Sequence, residues 1–171
     1  MAANPSSYAS FDDSLSGKDK DTHALEGVDW RYDHTASSKK TPRYRNGLVH
    51  VSCRVQLGEY GYTLGWRLYL RAKTIRRLNR QRAKSQRLSF KSKYALAREL
   101  LLELKQLIPK GWQVYVLFDN WYASAKLLNL IHRQGKGWHT LCAIKSNRQL
   151  NGLSLAQWNQ HLRHRHYTKL R

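Results

Sequence analysis

The stretch VYVLFDNWYASAKLL, Val114 to Leu128, joins a run of strand-forming residues to a lone carboxylate, Asp119, then to two large aromatics and a helix start. The segment WQVYVLFD, Trp112 to Asp119, is nearly all apolar and β-prone, the pattern of a strand buried on both faces. Ser124 can cap a following helix whose Leu127, Leu128 and Ile131 face the core, with Gly135 and Gly137 near its end. WHTLCAIK, Trp138 to Lys145, reads as the next strand.

Working toward the N-terminus, Ser89 to Ile108 changes period. Phe90, Tyr94, Ala97, Leu101, Leu104 and Ile108 recur at steps of three and four, so they predict one face of an amphipathic helix stopped by Pro109 and Gly111. LVHVSCRVQLG, Leu48 to Gly58, alternates apolar and polar residues, and YTLGWRLYLR, Tyr62 to Arg71, alternates again with Leu64, Trp66, Leu68 and Leu70 on one face. The turn signal Glu59 to Gly61 between them predicts an antiparallel hairpin. SSYASFDD, Ser6 to Asp13, predicts a first strand carrying Tyr8 and Phe11. Ser14 to Asn46 is polar and reads as a long irregular segment, of a length uncommon for a structureless loop. Strand, excursion, hairpin, helix, strand, helix, strand predicts an α/β domain with a mixed sheet.

Charge narrows the function. The 171 residues hold 31 Lys and Arg against 11 Asp and Glu, a net charge of +20. Such an excess predicts a polyanionic partner, because every phosphate neutralised by Lys or Arg releases a condensed counterion. Ribosomal-type RNA binding and membrane-surface binding share that signature. Lys73 to Lys93 contains no acid and includes Arg76, Arg77, Arg80 and Arg82, candidates for gripping DNA. No run approaches the roughly 18 apolar residues of a membrane span, and the Met1 region lacks an apolar signal core, so a cytoplasmic protein of a bacterium or archaeon is expected. Cys53 and Cys142 lie in strand-like runs without CxxC spacing and are expected to be buried free thiols. No GxSxG or GxxxxGK[ST] pattern supports acyl transfer or ATP use. Asp33-His34 and the cluster His161, His164, His166 lack a complete ligand set and read as surface groups.

The acids suggest chemistry. Asp12 and Asp13 end the first predicted strand and Asp119 ends the fourth. If these strands are parallel neighbours, the acids meet at the edge where open α/β sheets carry their sites. Carboxylates sharing an edge repel one another unless a cation lies between them, and hard Mg²⁺ suits oxygen ligands. Such ions activate water or a hydroxyl for phosphodiester displacement. Lys145, Asn147 and Arg148 follow a strand at the same edge and can meet phosphate, and Trp121 and Tyr122 can stack on an unpaired base or pack beside the acids.

VLFDNWYASAKLL and IHRQGKGWHTLCAIKSNRQLNG together resemble the DDE transposases of bacterial insertion sequences, in the cut-and-paste group whose second catalytic Asp precedes a Trp-Tyr pair and whose next strand ends in Lys-Ser-Asn-Arg. SFDDSLSGKD, Ser10 to Asp19, resembles the first-Asp motif, and GVDWRYDHTASSKK, Gly27 to Lys40, the polar segment that follows it. The resemblance implies an RNase H-like, five-stranded mixed sheet flanked by helices, incomplete at the C-terminus. Residues 1–147 would be the partial catalytic core and 148–171 the start of a truncated insertion. It implies metal ligation by Asp13, with Asp12 as alternative, and by Asp119, with Mg²⁺ or Mn²⁺ as cofactor. The implied partner is DNA, both transposon ends and target, with possible homodimers in the full-length enzyme and nucleoid association when bound. The family's third acid, a Glu after a β-rich insertion, has no match: no Asp or Glu follows Asp119, while Glu99 and Glu103 lie on the wrong helix. A chain lacking that ligand would be inactive alone. The competing expectation is a non-catalytic basic nucleic-acid-binding remnant.

Overall fold

The computed structural model describes residues 5–163. The alternating segment around Val51 and Cys53 becomes β3 (Tyr44–Leu57), the longest strand and the frame of the sheet. One edge of β3 pairs antiparallel with β1 (Ser6–Gly17). The other takes β2 (Asp29–Tyr32) and then β4 (Tyr60–Tyr69), placed end to end along it. β1 pairs parallel with β5 (Gln113–Phe118), and β5 pairs parallel with β6 (Trp138–Cys142). The sheet is therefore mixed with order β2-β3-β1-β5-β6, β4 joining at β3.

The parallel neighbours expected from the two acid-bearing strands are thus β1 and β5. Between them lie α1 (Ala72–Asn79) and α2 (Lys93–Leu107), and α3 (Ala125–His132) bridges β5 to β6. Ala9, Phe11, Val51, Cys53, Val114, Val116 and Phe118 face the helices and meet Leu100, Leu101, Leu104, Leu127 and Ile131. Each large aliphatic side chain buried there stabilises by about 1.5–3 kcal/mol. Ser92 caps α2 by accepting from the Ala95 amide, and Ser124 caps α3 as predicted.

Several expectations are corrected. Among the described residues six strands form the sheet, not five, because the polar segment 14–46 contains β2 and the start of β3. β1 continues past Asp13 to Gly17, since β3 pairs with it as far as Gly47 after β5 has ended. Gly47 is required at this join: a Cβ there would lie 2.4 Å from the Ser16 carbonyl oxygen. A bulge at Leu64 reverses the predicted face of β4, so Trp66 and Leu68 are exposed while Gly65, Arg67 and Tyr69 turn toward α2. Arg67 pairs with Glu103 there. Phe90 and Tyr94 are exposed rather than core residues.

β5 is not buried on both faces as predicted: Val114, Val116 and Phe118 pack against α2 and α3, while Tyr115 and Leu117 on the open face are half-buried. The open side carries a ladder in which Tyr8 stacks on Tyr115 at 5.2 Å and Tyr115 on His139 at 5.0 Å. The basic stretch holds α1, anchored by buried Thr74 and Ile75, and a short 3-10 turn (Lys84–Gln86). Beyond β6, a small hairpin of β7 (Gln149–Leu150) and β8 (Leu153–Ser154) leads to α4 (Leu155–Arg163). Cys53 is buried and Cys142 half-buried. No helix among the described residues is long and apolar enough to cross a membrane.

Candidate active site

β5 stops at Phe118, and the next residue folds the chain. Asp119 Oδ1 accepts from the Trp121 amide at 3.0 Å, and the Asp119 carbonyl accepts from the Tyr122 amide at 3.3 Å. This turn throws Trp121 outward, 59% exposed, and sinks Tyr122, 2% exposed, beside the helices. The two aromatics therefore divide the alternatives the sequence left open: Tyr122 packs and Trp121 is accessible.

Asp12 and Asp13 are consecutive on a strand, so their side chains leave on opposite faces. Asp13 shares the core side with Phe11, where its Oδ1 accepts from the Tyr122 hydroxyl at 3.0 Å and its Oδ2 pairs with Lys93 Nζ. Lys93 Nζ also lies 5.5 Å above the Tyr69 ring. Asp12 lies on the open side, where its Oδ1 accepts from the Asp13 amide at 2.7 Å. The second carboxylate oxygens of Asp12 and Asp119 have no partner among the described residues.

These acids share two depressions. Asp12 and Asp119 line a shallow one with Ser10, Leu117, Leu141 and Ala143. All three acids line a cleft of about 400 Å³ with His34, Tyr69, Lys93 and Trp121. The field of this group reaches Tyr122: burial, then the charge and hydrogen bond of Asp13, then Asp12 and Asp119, push its phenol far above the ordinary value.

Hard carboxylate oxygens with free lone pairs suit a divalent cation of the Mg²⁺ type. The donor set is short in number, since among the described residues no three His, Cys, Asp or Glu side chains gather as a metal site. Glu99 is engaged by Lys91 at 2.9 Å and Glu103 by Arg67, both away from the cleft.

The basic residues separate into tied and untied groups. Arg77 donates to the Val28 carbonyl at 3.3 Å and Arg82 pairs with Glu26, whereas the side chains of Arg76 and Arg80 have no partner among the described residues. Arg148 donates to the Ala123 carbonyl at 3.3 Å and so props the turn after Tyr122. Lys145 Nζ lies 4.7 Å above the Trp121 ring, at the rim of the acids, and Asn147 is exposed. Of the histidines, His34 reaches the cleft, His161 makes an edge contact with Trp158, and His164 and His166 lie outside the described residues. The cleft roles of Lys93 and Tyr69 had no sequence signal, because neither residue lies near an acid in the chain.

A parallel strand pair with carboxylates at its edge, in a strongly basic protein, defines a phosphodiester-processing class. The chain belongs to the DDE superfamily endonucleases, whose family model matches residues 2–168. No curated protein and no solved structure gives a match. The mixed sheet with helices agrees with the RNase H-like fold of DDE proteins. Family membership supports a nuclease or transposase type of function on DNA, and members generally use divalent metals.

Proposed function

We propose that this chain forms the catalytic core of a DNA transposase, cutting DNA at the ends of an insertion sequence and joining them to a target. The observation that carries the reading is the shared cleft of Asp12 and Asp119, each with a free carboxylate oxygen. Asp12 and Asp119 are assigned as the cation-holding pair. Asp13, favoured by motif position alone, is assigned to positioning, since Tyr122 and Lys93 already take both its oxygens. A bound Mg²⁺ or Mn²⁺ would supply activation of a water or 3′ hydroxyl and charge neutralisation at the leaving oxygen. Lys145 and Asn147 would hold backbone phosphates at the rim, and Arg148 would keep the Asp119 turn in shape.

Residues 1–147 are read as the core, with the β7-β8 hairpin beginning a separate segment, because neither of its strands joins the main sheet. Pairing of two transposon ends would call for two copies, acting in the nucleoid of a bacterial or archaeal cell. A second reading, nucleic-acid binding without cleavage, is favoured by the donor count: among the described residues no three His, Cys, Asp or Glu side chains gather as a metal site.

Nicking of a transposon-end duplex in Mg²⁺ or Mn²⁺ tests the two readings. Asp12→Asn and Asp119→Asn are expected to abolish nicking while retaining duplex binding at low salt. Binding without nicking by the unmutated chain would favour the second reading.

A further inference from the structure

β2 and the turn after it, DWRYDH from Asp29 to His34, have an inverted pattern. Their charged residues turn inward, with Arg31 5% and Asp33 7% exposed, while Trp30 is 49% and Tyr32 38% exposed. Asp33 is fully engaged and Arg31 in part, its Nε being buried without a hydrogen-bond partner among the described residues. Arg31 donates to the Tyr69 carbonyl at 3.3 Å, and Asp33 accepts from the Thr35 and Ala36 amides and faces Arg45 Nε at 3.3 Å. An aromatic side chain offers about 150–250 Å² for burial, so leaving two of them in water while burying charge opposes the hydrophobic effect. A one-residue change of register would have turned them inward. The inversion leaves both rings on the surface, and Tyr32 belongs to a connected file.

Tyr32 meets Tyr44 edge-on at 5.7 Å and His34 at 4.8 Å, and His34 meets Trp121 at 6.2 Å, beside Asp119. Next to the far end of this file is a groove of about 320 Å³ lined by Trp30, Tyr44, Lys18, Lys20 and Arg43. The charged ends of those three cations have no partner among the described residues. Exposed rings beside uncompensated cations suit a strand whose bases are unpaired: the cations track its phosphates while the rings stack on its bases. A duplex offers the phosphates but keeps its base faces covered.

We propose that Trp30, Tyr32 and Tyr44, with Lys18, Lys20 and Arg43, bind an unpaired DNA strand and lead it past His34 and Trp121 to the acid cleft. The delivery step rests on the proposed function; the binding step does not.

The test uses the full chain with fluorescence polarisation of a labelled oligothymidylate and of a duplex of equal length. The Tyr32→Ala/Tyr44→Ala double variant is expected to weaken single-strand binding about tenfold or more and duplex binding less than about twofold, since one stacked base contributes about 1–3 kcal/mol. Tyr32→Phe/Tyr44→Phe is expected to restore it. Equal losses on both DNAs, or no loss, would overturn the proposal. So would a shift in self-association on sedimentation without a change in DNA binding, which would assign the rings to a protein interface. Crosslinking of a bromodeoxyuridine oligonucleotide to the unmutated chain is independent of any variant's folding. Adducts at Trp30, Tyr32 or Tyr44 are expected, and adducts confined to other regions would overturn the proposal. Binding is read without a divalent cation, so a failure of nicking leaves this result readable.

Discussion

The Tyr122 hydroxyl donates to Asp13 Oδ1 at 3.0 Å from a side chain that is 2% exposed. A hydrogen bond to a charged acceptor contributes about 1.5–3 kcal/mol, and here it ties the turn after Asp119 to the middle of β1. Tyr122→Phe keeps the ring and removes the bond. It is expected to lower unfolding free energy by about 1–2 kcal/mol, because Lys93 still compensates Asp13. Urea denaturation at pH 7 checks this, and an unchanged midpoint with an unchanged slope would count against the bond.

The two acids of β1 should part company under substitution. Asp13→Asn disturbs both the Tyr122 bond and the Lys93 pair and should cost about 1–3 kcal/mol. Asp12→Asn, on the open side, should change stability by less than about 0.5 kcal/mol. Cation binding to the folded state raises the melting temperature through mass action. Mn²⁺ should therefore raise it for the unmutated chain and for Asp13→Asn, but not for Asp12→Asn or Asp119→Asn. Calorimetric melts with and without Mn²⁺ give the comparison, and a response lost only in Asp13→Asn would restore the motif-based choice.

The parts of this molecule that were legible in the sequence are those where burial and periodicity agree. Val114, Val116 and Phe118 announced β5, and Ser124 announced the cap of α3. The Asp119 turn was legible because an acid after a β-prone run is a local signal. β2 was not legible: its inward residues are Arg31 and Asp33, so reading polar as outward erases the strand. The face of β4 was misread for a different reason. One extra residue at Leu64 shifts every side chain beyond it, and a bulge depends on the partner strand. The proposed choice of Asp12 over Asp13 rests on Tyr122 and Lys93, both distant in the chain.

Asp29 carries the clearest pH dependence. Burial alone would raise its pKa, but hydrogen bonds from Arg71 and Thr74 and the charges of Arg71 and Lys73 outweigh burial and hold it at about 2, against an ordinary 3.8. A carboxyl with a lowered folded-state pKa contributes stability that is complete above its unfolded value and lost as protons bind the folded state. The window here runs from about pH 4 down to about 2, and the contribution is about 2 kcal/mol. Asp29→Asn should be less stable than the unmutated chain near neutrality, with the gap closing through that window. Melts at stepped pH values measure it, and a gap independent of pH would exclude the linkage.

The thiols should react in a fixed order. Burial, and secondarily the Glu103 charge, push Cys53 up to about 12, while burial raises Cys142 from its ordinary value. Thiolate is the reactive form, and Cys142 is half-buried where Cys53 is fully buried. Iodoacetamide on the native protein should modify Cys142 first, with Cys53 modified after unfolding in urea. Peptide mapping by mass spectrometry distinguishes the sites, and early adducts on Cys53 would mean that β3 opens in the native state.

Electrostatic binding to DNA should depend on which arginines are already engaged, rather than on their number. Arg76 and Arg80 are untied, while Arg77 holds the Val28 carbonyl and Arg82 holds Glu26. Each phosphate contact removed should reduce the slope of log K against log salt by about 0.9 on duplex DNA. Arg76→Ala and Arg80→Ala should each flatten the slope by about that amount and leave the unfolding midpoint in place. Arg77→Ala should leave the slope alone and lower stability, since it frees a carbonyl beside β2. Arg82→Ala should do so by less than about 1 kcal/mol, because the Glu26 carboxylate is largely exposed. Polarisation titrations over a salt series, paired with urea denaturation of the same variants, separate the two effects. Equal slope changes for all four would mean that Arg77 and Arg82 leave their internal partners when DNA binds, and that α1 shifts away from the 26–29 segment as it does so.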